Sequence, residues 1–401
     1  MIEKTLAELT LNITDGKHGD CRGKDDSGFY FISCKDVRDG QIHYEDARQI
    51  IEEDFWDAHK RTRLEPDDIL VTNSGTIGRM AFIRDVPLTY RTTFQKSVAI
   101  VKPDKSKILP KYLYYQLQNC VDGFVNQSNG AAQKNLLLST MRVFKMNIHE
   151  DGDTQIRIAS ILSAYDDLIE NNQKQIKLLE EATQRLYKEW FVDLRFPGHE
   201  TTPITDGIPE GWVRYKFSEI ASIMSGGTPK TDVKEYYDGN IPFYTPKDSD
   251  GSFFAFDTIT HISESGLDHC NSQYYPSGTV IITARGTVGK TTILAVPMAM
   301  NQSCYALKCD ELNSPYYLFF SLNKEVAALK TMANGGVFNT IIVKTFDSIH
   351  LTMPTHEVLA AFDAAISPIM DQVKVKIQQN ARLAEARDRL LPKLMNGEIE
   401  V

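Results

Sequence analysis

Three stretches carry residue types that could do chemistry. Arg285-Gly286-Thr287-Val288-Gly289-Lys290-Thr291 has the Gly-Lys-Thr ending of a loop that grips phosphate. Such a loop needs a glycine five places before Gly289, so that backbone N–H groups can wrap the phosphates, and that position is Ala284. Asn240-Ile241-Pro242-Phe243 lies one residue from the Asn-Pro-Pro-Phe of amino-methyltransferases, but Ile241 replaces the first proline and no Gly-x-Gly cofactor loop follows a strand. Pro66-Asp67-Asp68 could open a nuclease carboxylate set, yet no Glu-x-Lys or Asp-x-Lys follows on a neighbouring strand, and a polar turn is the better reading. The six cysteines, Cys21, Cys34, Cys120, Cys270, Cys304 and Cys309, form no Cys-x-x-Cys pair and no zinc-spaced set with histidine. The chain is therefore read as non-catalytic, with no metal and no cofactor of its own.

The glycine motif has a twin. Asp68-Ile69-Leu70-Val71-Thr72-Asn73-Ser74-Gly75-Thr76-Ile77-Gly78-Arg79 recurs as Thr279 to Lys290, offset by 286 − 75 = 211 residues. Gln95-Lys96-Ser97 echoes Gln302-Ser303, and Tyr112 to Leu117 echoes Tyr317 to Leu322. A collinear echo is an internal duplication. In both copies the glycines suit a tight turn between two strands.

What the copies share is a set of polar, glycine-punctuated loops. In the first half they present Lys17 and His18; Asn73, Ser74, Thr76 and Arg79; Gln95 and Lys96; and Gln133, Lys134 and Asn135. In the second half they present Ser225, Gly226, Gly227, Thr228 and Lys230; Lys247; Arg285, Thr287 and Lys290; Gln302; and Asn334, Phe338 and Asn339. Glycine admits close backbone approach, Lys and Arg meet phosphate or guanine, and Asn and Gln can pair with adenine. These residues are the candidate contacts to double-stranded DNA, a target that comes in separable pieces.

Two long helices must position the loops. One apolar ladder includes Leu168, Asn172, Ile176, Leu179, Leu186 and Trp190, within a helical pattern from Thr154 to Phe191. The other includes Ile369, Val373, Ile377, Leu383 and Leu390, beyond an N-cap at Thr355. A globular half lies between them, so antiparallel pairing is expected. A helix from Thr154 to Phe191 would run roughly 57 Å, allowing about 17 base pairs between half-site centres.

Net charge is −9, which excludes a simple polycationic nucleic-acid binder but not a local basic face. No run is apolar enough to span a bilayer, and Met1 to Leu6 lacks the pattern of a signal peptide, so a cytoplasmic protein without a membrane partner is expected.

With these residues in view, the chain resembles the specificity subunits of type I restriction–modification systems. The resemblance rests on Tyr215 to Ala221 leading into Ser225-Gly226-Gly227-Thr228-Pro229 and Asn240-Ile241-Pro242. It rests also on Ile158 to Asn172 continuing into Leu186 to Asp193, and on Arg389 to Ile399. The first half, opening Thr14-Asp15-Gly16-Lys17-His18-Gly19, lacks the Ser-Gly-Gly-Thr-Pro loop. The resemblance implies an α+β fold with two β-rich target recognition domains, at 1–150 and 210–354. They are separated by an antiparallel coiled coil of helices at 151–196 and 355–401, with a linker at 197–209 and a pseudo-twofold internal repeat. It also implies docking to two methyltransferase subunits that use S-adenosylmethionine and to restriction and translocase subunits that use ATP and magnesium. A coiled-coil scaffold that binds proteins without reading DNA is the alternative.

Overall fold

The computed structural model describes residues 1–130, 134–309, 314–332 and 340–401, with Thr331 and Met332 by backbone alone. Five helices of ten residues or more occur among them: α1 (Glu52–Thr62), α2 (Pro110–Asn119), α3 (Gly152–Phe191), α4 (Pro315–Met332) and α5 (His356–Met395). The chain divides into two compact units, residues 1–169 with 382–401, and residues 170–381. Both boundaries fall inside the long helices α3 and α5, so each helix contributes a part to each unit. No helix among the described residues is long and apolar enough to cross a membrane.

The strands of the first unit are β1 (Ile2–Thr5), β2 (Thr10–Asp15), β3 (Tyr30–Ile32), β4 (Ile69–Thr72), β5 (Met80–Phe82), β6 (Thr92–Phe94), β7 (Val98–Pro103) and β8 (Lys145–Ile148), besides a two-residue ladder, Val37–Arg38 with Gln41–Ile42. Four of them form an antiparallel sheet in the order β2-β7-β4-β5. Every residue of β4 is buried, because both sheet faces are covered. Ile69 and Val71 pack toward Tyr112 and Leu113 of α2, while Leu70 packs in a second layer with Ile32 and Phe94. A parallel pair, β3 with β6, and an antiparallel pair, β1 with β8, complete the unit.

The second unit repeats this plan. Its strands are β9 (Val213–Lys216), β10 (Ser222–Ser225), β11 (Ile241–Tyr244), β12 (Phe254–Ala255), β13 (Val280–Thr283), β14 (Thr291–Leu294), β15 (Ala299–Met300), β16 (Cys304–Lys308) and β17 (His350–Met353), besides the two-residue strand His261–Ile262 beside β11 and a two-residue ladder, Ile204–Thr205 with Ile208–Pro209. The sheet order is β10-β16-β13-β14-β12, with β11 parallel to β15 and β9 antiparallel to β17. Val280 and Ile282 face Phe319 and Phe320 of α4, and Ile281 faces the other layer with Tyr244 and Leu294. The duplication read from sequence is thus a duplication of strand order and of the two packed layers.

The first long helix begins at Gly152, two residues before the expected Thr154, and the second at His356, directly after the expected cap Thr355. The Asp151 carboxylate accepts from the Thr154 backbone at 2.8 Å, and the Thr355 hydroxyl accepts from the Val358 backbone at 3.4 Å. The helices are paired within each unit. In the first, Ile158 and Leu162 of α3 share a core with Leu394 and Met395 of α5, and Arg387 pairs with Asp166 at 2.6 Å. In the second, Asn172 bonds Asn380 at 2.9 Å, and Trp190 lies 5.8 Å from Phe362 between ring centroids. Rising numbers on α3 meet falling numbers on α5, so the pairing is antiparallel.

Candidate nucleic-acid interface

The repeated glycine motif is a hairpin turn built identically twice. In the first unit the Thr72 hydroxyl accepts from the Arg79 backbone at 2.9 Å and donates to the Thr76 carbonyl, while Gly78 N–H reaches the Thr72 carbonyl at 2.9 Å. In the second, Thr283 makes the same three bonds to Lys290, Thr287 and Gly289. Gly75, Gly78, Gly286 and Gly289 all have positive φ, between 76° and 87°. A Cβ on Gly78 would sit 2.6 Å from Val121, and one on Gly289 would sit 2.6 Å from Val326. The second glycine therefore lets each turn lie against a following helix. No phosphate cradle is needed to explain the Gly-Lys-Thr sequence.

Other loops gather at this turn. The Ser33-Cys34-Lys35-Asp36 turn is closed by Asp36 accepting from the Ser33 N–H and hydroxyl at 2.8 and 2.7 Å. Asp248 accepts from Thr245 at the same two distances in Thr245-Pro246-Lys247-Asp248. A Cβ on Gly75 would lie 3.5 Å from Cys34, and one on Gly286 would lie 3.5 Å from Pro246. Lys35 and Lys247 are thus equivalent, and both are exposed. Lys247 was a candidate from sequence; Lys35 was not. The recurring Ser/Thr-x-Lys-Asp pattern is the signal that would have found it.

The Asp15-Gly16-Lys17 loop proves to be the counterpart of Ser225-Gly226-Gly227, despite their different sequences. A Cβ on Gly16 would fall 2.3 Å from the Gln95 carbonyl oxygen, and one on Gly226 would fall 2.3 Å from that of Asn301. Only glycine lets each loop close on the loop before β7 or β16. That second loop carries Gln95 and Lys96 in the first unit, and Asn301 and Gln302 in the second. Gln95 N–H reaches the Ile32 carbonyl at 2.8 Å and Asn301 N–H reaches that of Tyr244 at 3.0 Å, so Gln95 matches Asn301 and Lys96 matches Gln302. The sequence echo had set Gln95 against Gln302, one residue out of step.

In the first unit His18, Asn73, Ser74, Lys96 and Asn135 line one cleft of about 360 Å³ together with Asp15, Ser139 and the apolar Leu136, Leu137 and Leu138. Asp15 is buried, ion-paired to Arg61 of α1 and hydrogen-bonded to His18 Nε2 at 3.0 Å. Thr76, Arg79 and Lys134 are exposed beside the turn, and the Lys134 carbonyl accepts from Gly75 N–H at 3.2 Å. Lys17 instead turns to Asp57 at 3.0 Å, and that carboxylate raises the pKa of its ammonium. Asp68, once a candidate nuclease carboxylate, is buried at the start of β4 and bonded to Lys102 at 2.7 Å. Burial pushes its carboxyl up to about 6, as a structural turn residue.

In the second unit Ser225, Thr228, Lys230, Arg285 and Gln302 are exposed on the equivalent loops, with Thr287 half-buried and the Thr228 hydroxyl bonded to Gln302. Lys290 turns its ammonium to the Ser249 carbonyl at 3.1 Å. Gln133, Asn334, Phe338 and Asn339 lie outside the described residues. On the helices, Ile176, Leu179, Leu186, Trp190 and Ile377 pack on the core of the second unit and Val373 is fully buried, while Ile369 is half-buried. In the first unit Leu390 packs on the core and Leu383 is half-buried. Leu168 is 52 % exposed, because Asp166 takes the place facing α5 there.

Residues 23–181 and 209–386 each match the family described as Type I restriction modification DNA specificity domain, and the chain belongs to that family. It is 24 % identical over 366 residues to the Type I restriction enzyme HindI specificity subunit of Haemophilus influenzae, covering 75 % of this chain and 80 % of that protein. To the Type I restriction enzyme MjaIX specificity subunit of Methanocaldococcus jannaschii it is 24 % identical over 343 residues, covering 83 % and 78 %. The crystal structure of the type I restriction–modification S subunit from M. genitalium superposes with a TM-score of 0.55 over 98 % of this chain and 96 % of that one, at 13 % identity, a likeness of fold.

Proposed function

We propose that the chain is the DNA sequence-specificity subunit of a type I restriction–modification complex, each unit reading one part of a bipartite, asymmetric target. One observation carries this: the same loop cluster is built twice, with different side chains at equivalent positions. Asn73 answers to Ala284, Ser74 to Arg285, Arg79 to Lys290 and Lys96 to Gln302. An identical frame with different readers suits two different DNA words. Residues 1–150 and 210–354 serve as the recognition domains, 151–196 and 355–401 as the helical spacer and 197–209 as the linker.

The chemistry resides in partners. Two methyltransferase subunits bring S-adenosylmethionine and methylate adenine, and restriction and translocase subunits use ATP and magnesium; the protein works in the cytoplasm. The chain's own task is to place those subunits at a chosen sequence. Its net charge of −9 fits an assembly in which partners supply much of the phosphate contact. The test is salt-dependent binding of duplex DNA by the chain purified with methyltransferase subunits. Sequence-dependent binding that weakens with salt supports the reading, and none in any assembly would favour a protein-binding scaffold.

A further inference from the structure

Asn73 opens the hairpin turn of the first unit with its backbone held on both sides. Its N–H reaches the Ser97 carbonyl at 3.0 Å, and its own carbonyl accepts from Leu136 N–H at 2.8 Å. The residue is only 5 % exposed, and its side-chain Oδ1 is buried with no hydrogen-bond partner among the described residues. A buried polar atom left unpaired is destabilising, and native structures keep few of them.

The second unit provides an internal control. Ala284 makes the same two backbone bonds, to the Ser303 carbonyl at 2.7 Å and from Ile341 N–H at 3.0 Å. The loop closes equally well on a methyl group, so the carboxamide of Asn73 is not required for it. Asn73 also lines the cleft it shares with His18, Ser74, Lys96 and Asn135.

We infer that Asn73 is a specificity-determining residue for one half of the target, reading an adenine; this rests on the DNA-reading role proposed above. The carboxamide carries one acceptor and one donor side by side, and a side-chain rotation brings the buried Oδ1 to the cleft with Nδ2. The major-groove edge of adenine offers the complement, the N6 amino group and N7. Guanine shows two acceptors there and calls for two donors, as an arginine supplies. The second unit has Ala284 followed by the exposed Arg285, so the two units are equipped for different bases.

The test uses the full chain purified with its methyltransferase subunits and a target defined by mapping methylated adenines. Duplexes replacing each base pair of both half-sites in turn are compared by competition binding. With the wild-type chain, replacing one A·T pair of one half-site weakens binding about 5–150-fold. In Asn73→Ala that penalty falls below about twofold while penalties at the other positions persist. Asn73→Asp, which keeps the shape but loses the donor, loses the same preference and covers the case in which the alanine variant fails to fold. Unchanged penalties in both variants, with only the melting temperature altered, would overturn the inference and leave Asn73 a packing residue. Absence of any sequence dependence in the wild-type complex would instead overturn the proposed function.

Discussion

The side-chain amide of Asn172 on α3 donates to the carboxamide oxygen of Asn380 on α5 at 2.9 Å, and Lys376 reaches the Asn172 oxygen at 3.5 Å. Asn172 is 9 % exposed, a polar position in a ladder otherwise built mainly of apolar residues. A buried polar pair on facing helices fixes register at some cost in stability. Alanine at either position is expected to lower stability by about 1 kcal/mol, with a coupling of similar size in the double-mutant cycle. Replacing both with leucine should raise the melting temperature while the pairing becomes less specific. Chemical denaturation of wild type, the two single and the double alanine variants measures the coupling, and thermal unfolding of the double-leucine variant measures its melting temperature.

The paired turns give an ordered prediction. Gly78→Ala and Gly289→Ala add both positive-φ strain and a 2.6 Å approach to a valine methyl, and should each cost about 2–4 kcal/mol. Gly75→Ala and Gly286→Ala meet their nearest neighbour at 3.5 Å and keep only the backbone strain, about 1–2 kcal/mol. Thermal unfolding of the four variants should rank them in this order in both units.

Glu180, on the part of α3 in the second unit, is pushed up to about 7 by burial, against a hydrogen bond from the Phe253 backbone and with Asp250 adding to the rise. A carboxyl whose folded pKa exceeds its unfolded value binds its proton more tightly when folded. Stability from this group is thus present at low pH and falls as pH climbs from about 4.5 to 7. Glu180→Gln should flatten that slope and stabilise the chain at pH 7 by about 1–2 kcal/mol, allowing for its partial exposure. Urea denaturation across this range, wild type against variant, would count against the assignment if the curves stay parallel.

Lys35 and Lys247 occupy equivalent exposed turns, where an ammonium can neutralise a phosphate. Each changed to alanine should weaken DNA binding by the assembled complex about equally on all sequences, and reduce the salt dependence by about one phosphate contact. A change in sequence preference instead would make them base readers.

Much of this architecture is written in periodic patterns. The β-branched runs at Ile69 to Val71 and Val280 to Ile282 and the ladders of the long helices are repeated features, and repetition separates signal from coincidence. Helix α1 escaped because only Phe55, Ala58 and Thr62 of its eleven residues are buried and the rest are largely charged. The equivalence of Gly16 and Gly226 escaped because it depends on a backbone carbonyl brought up from a distant part of the chain, which no local pattern records. Lys35 escaped because Ser33 and Asp36 look like any capped turn until the second copy is set beside them. Leu168 was drawn into the seam by its spacing, although Asp166 faces the partner helix.

The most direct measurement is a map of methylated adenines in cells that make the methyltransferase subunits with this chain, without it, and with the Ala284–Lys290 turn exchanged for that of a relative. The account predicts a two-part motif that appears only with the chain and changes in one part alone after the exchange. Methylation that is the same in all three cells, or a motif altered in both parts at once, would contradict it.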